Sequence, residues 1–134
     1  MKQFTLEPRM RATIGGAFYP TGYSIVMFPD PGDADRIGHQ LIEKGMSGDE
    51  VYLLPPQTVL AEISPTVKTS DDPLPSAGTD AATVRAYTKL AREGHAGLLV
   101  KTRDGAAAER LMELVRTVPY SIAQRYRTLV IEDL

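Results

Sequence analysis

Tyr23-Ser-Ile-Val-Met-Phe28, the turn Pro29-Asp-Pro-Gly32, and then Ala34, Ile37, Gly38, Leu41 and Ile42 form the stretch that decides the fold. The first run is β-branched and aromatic, is introduced by Gly22, and predicts a central, largely buried strand. The five residues after the turn recur at i, i+3, i+4, i+7 and i+8, the face of an amphipathic helix, with Asp33 set to cap the free amides of its first turn. Gly45 can take the left-handed conformation that closes a helix, and Glu50-Val-Tyr-Leu-Leu54 supplies a second strand. The whole is a strand-helix-strand unit.

Pro55-Pro56 ends that strand and opens a short helix through Ile63, since proline's fixed φ suits a first helical turn. From Ser64 to Gly78 prolines, serines and aspartates without apolar periodicity predict an exposed loop. Thr79 reads as an N-cap, and Val84, Tyr87, Leu90 and Ala91 line a helix ending at Gly94. Ala96-Gly-Leu-Leu-Val-Lys-Thr102 is a third strand. Asp104-Gly105 turns the chain into a helix with the stripe Ala108, Leu111, Met112, Val115 and Val118, closed by Pro119. Ser121 to Ile131 is then expected as a last strand. Met10 to Ala17, broken by Gly15-Gly16, offers an edge strand.

Two strand-helix-strand units predict an α/β (α+β) fold of the ferredoxin-like split βαβ kind. It has a four-stranded, mainly antiparallel sheet with two right-handed crossover helices on one face. The helix at 79–94 is extra to that plan and is expected over the open face or a sheet edge. A length of 134 residues, 43% of them hydrophobic, suits one domain spanning 1–134. The absence of cysteine excludes disulfides, thiolate nucleophiles and Cys-ligated metal centres. With 15 basic and 17 acidic side chains the net charge is -2, which gives no global attraction to nucleic acid or an anionic membrane. Charges scattered through the first residues do not read as a secretory signal, and no stretch approaches the ~20 apolar residues of a membrane span, so the expected setting is the cytoplasm.

Ile25-Val-Met-Phe28 with Asp33-Ala-Asp, then Leu41-Ile-Glu-Lys-Gly-Met46 and Val51-Tyr-Leu-Leu54, resembles the opening unit of bacterial general stress proteins. Gly97-Leu-Leu-Val-Lys101, Ala107-Ala-Glu-Arg110 and Leu114-Val115 are similar to the strand and helix that complete that domain. The resemblance implies the fold and an intracellular, bacterial setting. It transfers no catalytic residue, because that domain often lacks an assigned activity. The proline-rich loop and the extra helix depart from the family pattern.

The chemistry-bearing residues are few. His39 and His95 are the two histidines, and neither HxxxH nor HxH spacing occurs, so no metal site and no cofactor is expected. Asp71-Asp72 reads as a solvated pair in the loop, and neither GxGxxG nor GxxxxGK[ST] is present to cradle a phosphate. Tyr19-Pro20-Thr-Gly22-Tyr23 reads as a turn with its tyrosines packed on the sheet rim rather than as an aromatic lip for a ligand. The candidate ligand-binding residues are Lys101, Arg103, Arg125, Tyr126 and Arg127. Within each basic pair the residues alternate along their strand, and were the two strands neighbours, arginine forks and a ring would converge on a phosphate, a nucleotide or single-stranded RNA. The competing reading is surface ion pairs with Glu109, Glu113 or Glu132. Gly97-Leu-Leu-Val100 lacks the exposed aromatics of an RNA-reading sheet, which argues against nucleic acid.

The leading expectation is a non-enzymatic regulatory or interaction module, a homodimer covering a sheet edge, that binds a small anionic ligand. A small-molecule enzyme with a pocket under the 64–78 loop and His95 or a carboxylate as base is the second reading. A nucleic-acid binder using the four basic residues is the third.

Overall fold

A computed structural model describes residues 1–67 and 79–134. The chain is of mixed α/β class. Its strands and helices run β1 (Lys2–Gln3), β2 (Tyr23–Phe28), α1 (Pro31–Glu43), β3 (Val51–Leu54), α2 (Pro56–Thr58), α3 (Thr79–Arg92), β4 (Ala96–Lys101), α4 (Gly105–Val115), β5 (Ile122–Tyr126) and β6 (Ile131–Asp133). Among the described residues there is one six-stranded sheet in the order β1-β3-β4-β2-β5-β6. The pairing β1/β3 is parallel and the other pairings are antiparallel. No helix among the described residues is long and apolar enough to cross a membrane.

Strand β2 is central because all six of its side chains are buried. Alternation sends Tyr23, Ile25 and Met27 to one face and Val26 and Phe28 to the other. The second face carries both crossover helices: Ala34, Ile37 and Leu41 of α1 pack there with Leu111, Met112 and Val115 of α4. The first face is covered by α3, through Val84, Tyr87 and Ala91, and by Val59 and Ile63 of a π-helical turn, Val59–Ile63, that continues α2. The extra helix thus covers a face rather than an edge.

Several sequence expectations need correction. The sheet has six strands rather than four, because β1 adds to the β3 edge and the expected last strand breaks into the β5–β6 hairpin at Arg127–Val130, where each residue's N–H bonds the other's carbonyl. Met10–Ala17 is not an edge strand. A 3-10 turn takes Pro8–Met10, only an isolated bridge joins Arg11 to Phe18, and Gly15 and Gly16, at φ of 85° and 71°, make the turn between them. The α1 cap is Asp30, whose carboxylate accepts the Gly32 N–H at 2.9 Å; Pro31 lacks an N–H and starts the helix earlier, leaving Asp33 in the first turn beside Arg36. Ser64–Thr66 is a 3-10 turn rather than exposed loop, with Thr66 buried and accepting the Phe18 N–H at 3.0 Å. The remainder of the expected loop, 68–78, lies outside the described residues, as does the Thr79 side chain.

Two glycines mark close packing of unequal stiffness. A Cβ on Gly97 would stand 3.0 Å from the Val26 carbonyl oxygen, a backbone atom of a strand held on both sides. A Cβ on Gly38 would collide with the Met1 thioether, a side-chain end that can swing away. Gly97→Ala is expected to cost about 1–3 kcal/mol. Gly38→Ala is expected to cost less, since helix propensity returns about 1 kcal/mol. Urea unfolding of the two variants checks the order; equal losses would contradict it.

Candidate functional site

The sheet order decides what becomes of the basic residues, because β2 lies between β4 and β5. Tyr23 is paired with Lys101 and Ser24 with Arg125, so the two basic pairs stand a strand apart. Alternation turns Lys101 to the Tyr23 face and Arg125 to the helix face, where its guanidinium approaches Gly105 at the start of α4. The convergence expected for neighbouring strands therefore does not occur. Arg125 and Arg127 both lie 3.7 Å from Glu132, and Arg103 lies 3.5 Å from Glu50; Glu109 is taken by Arg116.

Tyr126 faces the interior. It is 1% exposed, and its hydroxyl belongs to a buried network with Tyr87 and Gln124. Tyr87 donates its O–H to Gln124 Oε1 at 2.7 Å, so across 2.9 Å it accepts the proton of Tyr126. Gln124 Nε2 then donates to Asp133 Oδ1 at 3.2 Å, which ties α3 to β5 and β6. Tyr19 packs edge-on against Tyr126 at 4.9 Å and donates to the Arg127 carbonyl, while Tyr23 is buried beside Tyr52. The tyrosines of the Tyr19–Tyr23 turn are thus packing residues.

The histidines sit apart. His39 is exposed on α1 and its Nδ1 donates to the Asp35 carbonyl. His95 Nδ1 lies 2.9 Å from Ser121 Oγ, whose hydroxyl donates to the Met27 carbonyl at 3.0 Å. A serine hydroxyl has one proton, so both bonds coexist only when His95 is the donor. That is the reverse of what a base activating a serine nucleophile needs. Among the described residues no group of three or more His, Asp or Glu side chains could hold a metal ion.

A concave surface is present elsewhere. An open cleft of about 850 Å³ lies between the C-terminal end of α1, the exit of β4 and the exposed side of α4. Leu41, Val100 and Leu111 form its buried floor, Met46 and Leu114 its half-exposed wall. Lys44 and Arg110 line it without an ion-pair partner among the described residues, together with Arg103, and Lys101 borders it. Glu50, Asp104 and Glu113 are its carboxylates, of which Asp104 caps α4 by accepting the Ala107 N–H at 2.8 Å. Of the five candidate binding residues, Lys101 and Arg103 meet this cleft and Arg125, Tyr126 and Arg127 do not. Lys44 and Arg110 escaped the sequence reading because helix packing, not spacing, brings them to it.

No protein-family model, curated protein or solved structure matches this chain.

Burial pushes the phenols of Tyr87 and Tyr126 above their ordinary value near 10.0. The folded chain keeps these protons where the unfolded chain would lose them, so the stability they contribute is complete below about pH 10 and is lost as pH rises beyond it. Each phenol adds up to about 1.4 kcal/mol of loss per pH unit. Tyr87→Phe should cost about 1–3 kcal/mol at neutral pH by orphaning Gln124 and Tyr126. It should also flatten the alkaline slope in urea titrations from pH 9 to about 11.5; an unchanged slope would contradict the network.

Proposed function

We propose that this chain is a non-enzymatic interaction module, built on a ferredoxin-like split βαβ core, that assembles as a homodimer through β6 and holds a small anionic ligand. The core reading is supported by the antiparallel order β3-β4-β2-β5 with α1 and α4 on one face; β1, β6 and α3 are then additions to it. The resemblance to bacterial general stress proteins rests on the same two halves, and a stress-linked role in the cytoplasm follows from it as part of the proposal.

The observation that carries the assembly is the outer edge of β6. Arg127 and Val130 form a hydrogen-bonded pair, and the Leu134 N–H reaches the Ala123 carbonyl. Glu132 therefore bonds inward to β5, and the backbone groups of Ile131 and Asp133 point outward with no strand beyond them among the described residues. Leu129, 91% exposed, and Val130, 55% exposed, adjoin that edge. An antiparallel pair of β6 strands centred on Ile131 sets Ile131 against its own copy and Val130 against Glu132, with the exposed Leu129 of the turn adjoining the pair. That register avoids facing two Glu132 carboxylates.

Native mass spectrometry is expected to give twice the 14.6 kDa chain mass. Leu129→Asp should give a folded monomer whose unfolding temperature no longer depends on protein concentration, since the side chain is exposed and outside the core. Ile131→Pro should also give a monomer by removing an outward N–H, with a lower unfolding temperature because Ile131 packs against the core. A monomeric natural chain, or a dimer that survives both changes, would sink the reading.

A further inference from the structure

We infer that the cleft between α1 and α4 is a binding site for a small organic phosphate with an apolar or aromatic body. This deepens the reading of the chain as a module for a small anion and rests on it. Three features of the cleft select the ligand.

The first is charge. Lys44, Arg103 and Arg110 bring cations from three separate elements to one concavity, and two of them have no carboxylate partner among the described residues. Arg103 stands 3.5 Å from Glu50, so Lys44 and Arg110 are the two charges left for a dianionic phosphate, arginine supplying a planar fork and lysine a point charge. The second is the floor. Leu41, Val100 and Leu111, with Met46 and Leu114, give an apolar surface that free phosphate would leave uncovered, and methionine adapts to a flat ring. A volume of about 850 Å³ accommodates a molecule of nucleotide size. The third is the opposing charge. Glu113 lines the same cleft with Asp104 and the Arg103-paired Glu50, and these carboxylates repel a continuous polyanion but accept hydrogen bonds from the hydroxyls or amines of a small molecule. The overall charge of -2 works in the same direction.

The test is titration of the ¹⁵N-labelled chain with adenosine 5′-monophosphate, inorganic phosphate and adenosine in parallel, followed by amide shifts. The nucleotide is expected to shift Lys44, Met46, Arg110 and Leu114 and to bind at least about tenfold more tightly than either part alone. Arg110→Gln and Lys44→Gln, both changes of exposed residues, should each weaken it about tenfold while leaving the amide spectrum otherwise intact. Absence of shifts at millimolar nucleotide, shifts centred on another surface, or inorganic phosphate binding as tightly as the nucleotide would overturn the assignment. The same samples measured by native mass spectrometry separate the two proposals: Leu129→Asp should abolish the dimer and keep nucleotide affinity, and Arg110→Gln should keep the dimer and weaken nucleotide binding about tenfold.

Discussion

Strand β2 has neither a free edge nor a free face. Its backbone is hydrogen-bonded to β4 on one side and β5 on the other, and its six side chains divide between two apolar layers. Desolvating both faces obliges the chain to supply cover twice, which α1 and α4 do on one side and α3 with the π-helical turn on the other. Polar groups survive in this interior only as satisfied pairs. The Ser24 hydroxyl of β2 lies 2.7 Å from the Thr102 hydroxyl, and Tyr126 finds Tyr87.

The position of β2 also distributes function. By separating β4 from β5 it prevents Lys101 and Arg103 from joining Arg125 and Arg127, and the latter pair is spent on Glu132. Cations remain available where the C-terminal end of α1 and the exposed side of α4 meet the exit of β4. Among the described residues the outermost strand β6 has a neighbouring strand on one side only. The proposed ligand cleft and the proposed dimer edge thus fall on opposite sides of the central strand.

The unit from Tyr23 to Leu54 was legible because both periods are clean there and Gly45, at φ of 113°, closes the helix as its composition implies. The hairpin after β5 was not, since Arg127-Thr128-Leu129-Val130 contains no Gly, Pro, Asn or Asp to mark a turn, and the run fits either period. Two residues of β1 are too few to carry a period at all. Asp30 and Asp33 are equal candidates for a cap by residue type, and only Pro31 at the first helical position distinguishes them. Of the candidate residues, local alternation picks out Lys101 and Arg103, but strand order and helix packing, which are non-local, decide that Lys44 and Arg110 line the cleft with Arg103 and that Arg125 does not.

The most direct test of this account is a set of interstrand nuclear Overhauser contacts in the natural chain, because everything above depends on the strand at the centre. Contacts should run from Ile25 and Val26 to Leu98 and Leu99 on one side and to Ala123 and Gln124 on the other, with none between the backbones of β4 and β5. A ladder of contacts joining β4 directly to β5 would contradict the sheet order, reunite the basic residues and remove the basis for the cleft and edge as separate surfaces.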